Sequence, residues 1–233
     1  MHAKHLLPLL FWTFVLTLTG LLFWNSRGYL SDPRTVVFYR ERIQDAPPGW
    51  RQVLIAHVLA GMLCLFTGPF LFIPLLKKRI THAVMGSIYA FSTLGVMLPT
   101  GLWLSLHAHG GFIGRLGFFL TGCWMTSVTL LGLYELCRCH IRSHTRWMVR
   151  SYAVALSALT FRLLYLSGYY AGFSYTLNYS LSTWASTLLN LLIAEGIIHF
   201  YFNPKTNPQG KFPHEKVLPP PLTMPASTLH SRR

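Results

Sequence analysis

Six stretches of this chain run for about 19 residues or more with at most one Asp, Glu, Lys or Arg in each, and runs of that kind leave a polypeptide few ways to fold. They are Leu6 to Trp24, Gln52 to Leu76, Ala83 to Leu106, Leu116 to Tyr134, Ser151 to Tyr170 with Arg162 inside it, and Thr183 to Phe202 with Glu195 inside it. A helix needs about 20 mainly apolar residues to cross about 30 Å of hydrocarbon. The sequence therefore predicts an all-α, polytopic membrane helix bundle with about six transmembrane helices, its main partner being the lipid bilayer.

Composition and charge fit that reading. Hydrophobic residues make up 52% of the chain and charged residues only 11%, against roughly 25% charged in soluble domains. A formal net charge of +14 would suggest a polyanion partner for a soluble protein. In a membrane protein it is the excess of Lys and Arg kept in cytoplasmic loops, so no nucleic-acid partner is expected. The connections after the second and fourth stretches, the C-terminal tail and Lys4 hold 13 Lys and Arg, against 6 on the other side. The positive-inside rule then places both termini in the cytoplasm.

The expected division is 1–24 as an N-terminal transmembrane helix, 25–51 as an extracytoplasmic loop, 52–202 as a five-helix transmembrane core and 203–233 as a disordered, Pro-rich, basic cytoplasmic tail. The first apolar run is long for a signal-peptide core and no small-x-small cleavage site follows it, so it reads as a retained span. Four cysteines, two of them inside apolar runs, do not form a disulfide framework.

The segment from Cys137 to Tyr152, "CRCHIRSHTRWMVRSY", packs two Cys, two His and four Arg together. Cys-x-Cys is a poor match to the two-to-four-residue spacing of structural zinc sites, so no metal is expected there. No Gly-rich phosphate cradle accompanies the arginines. They read as topology determinants at a cytoplasmic connection that touches lipid headgroups.

Taken together, "AHVLAGMLCLFTGPFLF", "THAVMGSIYA", "GGFIGRLGFF", "HTRWMVRSYAVALSALTFRL" and "NLLIAEGIIHF" resemble a family of predicted bacterial multi-span membrane proteins, domain-of-unknown-function family 2306. The resemblance covers roughly Val53 to Phe200. Its most specific pieces are the His-x-x-x-Gly of His82 and Gly86 with Tyr89, and the His-x-x-Trp-Met-x-Arg-Ser-Tyr run from His144 to Tyr152. It implies a topology and singles out residues without implying an activity.

The histidines sort by depth, with His57, His107 and His109 toward the outer face and His82, His140, His144 and His199 toward the cytoplasmic face. Transmembrane b-type cytochromes hold haem between imidazoles of two helices, and here the corresponding pairs are His57 with His107 and His82 with His144. His82 and His107 are 25 residues apart, which on an ideal α-helix returns them to within about 20° of one face. Pro99 stands between them and threatens that angle. The blander reading is of interfacial histidines that snorkel or cap helices.

A charge inside the bilayer costs a few kcal/mol or more and needs a partner, so Arg162 and Glu195 also stand out. Counting along the spans puts Arg162 level with Asn190, whereas an ion pair with Glu195 would need the Arg side chain to reach about 6 to 7 Å. Glu195 shares a helix face with His199, giving an intramembrane polar network of Arg162, Asn190, Glu195 and His199. Glycines 61, 68, 86 and 95 suggest close helix approach, and Trp24, Trp50, Trp103, Trp147 and Trp184 an interfacial belt.

The sequence thus leads to a membrane protein that is a haem-b-like electron carrier with bis-His sites. The alternatives are a proton- or metal-handling transporter built on the polar network, and a membrane accessory protein without catalysis. No hydrolase elbow, P-loop, dinucleotide fingerprint or His-Glu-x-x-His is present, and no catalytic residue is assigned.

Overall fold

In a computed structural model, which describes residues 3–27, 46–73 and 78–202, the chain forms six helices and no strand among the described residues. They are α1 (Ala3–Ser26), α2 (Trp50–Phe72), α3 (Arg79–Leu106), α4 (Gly111–Cys137), α5 (Ile141–Tyr170) and α6 (Tyr175–Phe202). Helices α2 to α6 are each long and apolar enough to cross a membrane, and α1 carries a shorter apolar stretch, Leu10–Trp24. The tail 203–233 and most of the loop expected over 25–51 lie outside the described residues.

Most helices run past the charge-free stretches. Helix α5 starts at Ile141, well before Ser151, because freedom from charge marks only the hydrocarbon crossing. Beyond it, Arg and Lys stems can lie along the helix while their heads stay in the polar layer, and the backbone bonds continue. Helix α2 stops early, at Phe72, for a local reason. Ile73 precedes Pro74, and the residue before a proline is pushed out of the α region; its φ is −75° and its ψ 118°.

Short connections order the bundle. The end of α2, the start of α3, the end of α4, the start of α5 and the end of α6 meet at one end, which carries Lys78, Arg79, Arg138, Arg142, Arg146 and Arg150 and is called the basic end below. Helix α1 runs antiparallel to α2, since its Trp12 stacks on Phe72 while Phe23 and Ser26 lie by Ile55 and Val58. The broadest interface is between α5 and α6. The core is formed by residues such as Val15, Leu65, Leu71, Tyr89, Met125 and Leu159.

The α4–α5 turn answers the question raised by its cysteines. Cys139 has φ 60°, its N–H donates to the Leu136 carbonyl at 2.9 Å, and the His140 N–H donates to the Glu135 carbonyl at 2.9 Å. That is the bond pattern of a Schellman cap, with a cysteine in the left-handed position usually given to glycine. His140 is drawn to Glu135, with Nδ1 2.9 Å from Oε2, and His144 to the Gly132 carbonyl.

Helix α3 is not interrupted at Pro99. It widens into a π-helical segment, Phe91–Met97, immediately before the proline. A proline ring clashes with the carbonyl four residues earlier, and a wider turn there relieves the clash while the helix continues. Each π turn takes about one residue more than an α turn, which rotates everything beyond it by up to about 100°. The shared face expected for His82 and His107 is therefore lost.

A second proline organises the core. Pro69 lies inside α2 and has no N–H to give to the Leu65 carbonyl one turn back. The Tyr152 hydroxyl of α5 donates to that carbonyl instead, at 2.9 Å. Room for the Tyr152 ring comes from Gly68, where any Cβ would fall within the ring.

Candidate functional site

Four polar places stand out within the bundle. The first is at its centre, where the Tyr89 hydroxyl of α3 and Ser151 Oγ of α5 are 2.7 Å apart, and Ser151 Oγ is 2.7 Å from Thr129 Oγ1 of α4. Thr129 in turn donates to the Met125 carbonyl at 2.7 Å. Tyr89, Ser151 and Thr129 have no exposed surface. Beside them Cys64 Sγ lies 3.3 Å from Thr93 Oγ1 and 3.4 Å from Met97 Sδ, so the widened segment of α3 is held to α2.

The second place follows from the first by register. Helices α3 and α5 both begin at the basic end and run in the same direction. His82 stands seven residues before Tyr89, and His144 seven residues before Ser151. Seven residues are two turns, about 10 Å, and return to within about 20° of the same face. Counted back from the Tyr89–Ser151 contact, His82 and His144 each stand two turns nearer the basic end, each in the first turn of its helix and each half-buried. His144 Nδ1 lies 2.7 Å from the Gly132 carbonyl of α4. A carbonyl only accepts, so Nδ1 carries the hydrogen and the Nε2 lone pair is left for a metal or a proton.

The third place lies in the opposite half. His57 Nδ1 is 3.0 Å from Thr100 Oγ1, and that hydroxyl gives its own proton to the Val96 carbonyl. A Cβ on Gly101 would come within 3.0 Å of His57 Cε1, so α2 and α3 are in contact here and the imidazole fills the contact. Arg162 of α5 has an exposed side chain. Its NH1 donates to the Ala158 carbonyl at 2.6 Å, which turns the exposed side chain back along α5 toward the basic end. His107 is bound to its own helix, with Nδ1 3.0 Å from the Trp103 carbonyl and its ring 4.6 Å from that of Trp103.

The fourth place is the α5–α6 interface. Asn190 Nδ2 donates to Ser157 Oγ at 3.3 Å and to Thr160 Oγ1 at 3.0 Å. Glu195 is taken up by Arg150, which stands in the stretch expected to connect the fourth and fifth spans. Nε donates to Oε1 at 2.5 Å and NH2 to Oε2 at 2.9 Å, and the guanidinium sits 4.7 Å above Trp147. Glu195 is 52% exposed in this pair. His199 lies edge-on to Phe200 at 5.6 Å. The structure thus distributes the expected network over separate partners: Asn190 to hydroxyls, Glu195 to Arg150, and Arg162 to the Ala158 carbonyl.

Residues 54–198 match the model of domain-of-unknown-function family 2306, described as a predicted membrane protein. The chain belongs to that family. The matched region runs from α2 to α6 and contains His82, Tyr89, His144, Ser151 and Tyr152. No curated protein and no solved structure is significantly similar. Among the described residues, no three His, Cys, Asp or Glu side chains are grouped as a metal ion would need.

Two features escaped the sequence reading. The Tyr89–Ser151–Thr129 contact had a signal, the same seven-residue step from His to hydroxyl in both family motifs. The Arg150–Glu195 pair had none, because its members are 45 residues apart and on different helices.

Proposed function

We propose that this family member is a membrane-embedded electron carrier that holds one b-type haem between His82 and His144 at the basic end of the bundle. The observation that carries the reading is the register of the two imidazoles. They come from helices that run in the same direction, each stands in the first turn of its helix, and each precedes by seven residues a member of the 2.7 Å contact between Tyr89 and Ser151. The donor set suits the group: haem takes two neutral imidazoles, and the bond from His144 Nδ1 to the Gly132 carbonyl is the kind that orients a ligating histidine. When bound, such a haem supplies one-electron transfer. Trp147, Met148 and Gly132 bring α4 and α5 together beside His144.

The outer pair is not part of this proposal. His57 fills the α2–α3 contact and His107 lies on its own helix, so a macrocycle between them would require those helices to separate. The Arg150–Glu195 and Asn190–Ser157–Thr160 contacts are read as structural links between α5 and α6, since each polar group finds its partner at that interface.

Protein purified in detergent from haem-replete cells should show a Soret band and a reduced α-band. His82→Ala and His144→Ala should each abolish the six-coordinate, low-spin spectrum, and His57→Ala should leave it in place. A colourless, folded preparation rejects the reading.

The excess of Lys and Arg at the basic end supports placing that end in the cytoplasm of a bacterial inner membrane. Reporter fusions after Leu136 should then read cytoplasmic and fusions at Gly110 external. The reverse pattern would overturn the orientation.

A further inference from the structure

Each of the two family motifs carries a histidine and, seven residues on, a hydroxyl. A histidine alone would be enough to bind a ligand. The hydroxyls need a reason of their own, because Tyr89 and Ser151 have no exposed surface and burying polar groups costs free energy unless they are paired with each other. A Phe and an Ala would fill the same space without that requirement. What the hydroxyls provide is direction: a hydrogen bond fixes the distance and rotation of two helices more narrowly than apolar packing does.

The links among α3, α4 and α5 make this specific. Tyr89 reaches across to Ser151, which is also 2.7 Å from Thr129, and Thr129 donates to the Met125 carbonyl. With the Thr129 proton committed to Met125, Ser151 is left to donate to Thr129 and Tyr89 to donate to Ser151, so the chain has one direction and no hydroxyl lacks a partner. Three residues beyond Thr129 toward the basic end, α4 appears again as the acceptor for His144, through the Gly132 carbonyl. Helix α4 is thus the reference for both members of α5, and Tyr89 is the link that brings α3 to the same reference.

We infer that Tyr89, Ser151 and Thr129 are positioning residues that set the separation and facing of His82 and His144, forming a hydroxyl clamp two turns above the imidazole pair. The inference builds on the proposed ligand pair, and its central claim, that the clamp governs the spacing of positions 82 and 144, can be read without any haem.

The test uses the full chain with His82→Cys and His144→Cys, and with the exposed Cys137 and Cys139 changed to Ser. A short bifunctional maleimide should link positions 82 and 144 in detergent or in vesicles. Adding Tyr89→Phe should lower the linking rate by about fivefold, as expected for the loss of one buried hydrogen bond, and Ser151→Ala should act alike. Tyr152→Phe is the control. It removes an equally buried hydroxyl, but one that joins α5 to the Leu65 carbonyl of α2 at 2.9 Å, so it should lower the melting temperature and leave the link between 82 and 144 unchanged.

Failure of the two cysteines to link in the otherwise unaltered background would overturn the register. Equal effects of Tyr89→Phe and Tyr152→Phe, or no effect of Tyr89→Phe, would overturn the clamp. If linking responds as expected and the native protein binds no haem, the clamp stands and the haem reading falls. If the native protein does bind haem, Tyr89→Phe should also shift its reduction potential while His82 and His144 remain in place.

Discussion

Replacing Gly68 by Ala should destabilise the bundle by at least about 3 kcal/mol, although Ala is the better helix former by about 1 kcal/mol at an open site. The reason is a rigid obstacle. A Cβ at position 68 would fall within the Tyr152 ring, and that ring is held by its hydroxyl on the Leu65 carbonyl and by aromatic neighbours, with Phe72 at 5.3 Å, Trp12 at 5.9 Å and Tyr89 at 6.4 Å. Escape would break the bond that satisfies the carbonyl orphaned by Pro69. Thermal unfolding of the detergent-solubilised protein measures the effect. Tyr152→Ala alone should cost about 3–5 kcal/mol through the cavity it leaves, and in that background Gly68→Ala should add little. Additive losses would show that the two residues do not meet. Gly196→Ala is the matched control: nothing lies within 4 Å of a Cβ there, so it should leave stability unchanged or raise it.

The second large effect is expected at the opposite end of α5. A Cβ on Gly168 would fall on the Asn178 amide, which is buried and bonded at both ends, with Nδ2 donating to the Tyr165 carbonyl at 2.8 Å and Oδ1 accepting from Ser182 Oγ at 3.3 Å. Gly168→Ala should therefore cost about 2–4 kcal/mol, combining overpacking with loss of buried hydrogen bonds. Here the obstacle is removable. Asn178→Ala should itself destabilise by about 1–3 kcal/mol, but the double variant should be more stable than the sum of the two single effects predicts. A melting curve for Gly168→Ala that matches wild type would show that α5 and α6 are further apart than described.

The membrane reading was legible because hydrocarbon imposes two demands visible in any sequence: a length near 20 residues and the exclusion of charge. Those demands located five spans and α1. They did not locate the helix ends, since the basic start of α5, from Ile141 to Arg150, continues as helix before the charge-poor stretch begins. That is why Arg150, placed in a loop by its charge, proved to be the partner of Glu195. The angle between His82 and His107 failed for a different reason: ideal helix arithmetic assumes one pitch, and Pro99 is accommodated by a change of pitch upstream.

By itself, then, the sequence determined that the chain is a helical membrane bundle, which end of it is basic, and which motifs of family 2306 it carries. Each of these depends on local composition or on the order of residues along one helix. Only the tertiary structure decided that Tyr89 meets Ser151, that His144 meets the Gly132 carbonyl, that Tyr152 serves the carbonyl left by Pro69, that Arg150 pairs with Glu195 and that Asn190 pairs with Ser157 and Thr160. These depend on the rotation and depth of one helix against another. Lipid is nearly as apolar as the helix faces themselves, so burying apolar surface does little to fix such rotations; close packing at Gly68 and Gly168 and a few buried hydrogen bonds set them instead.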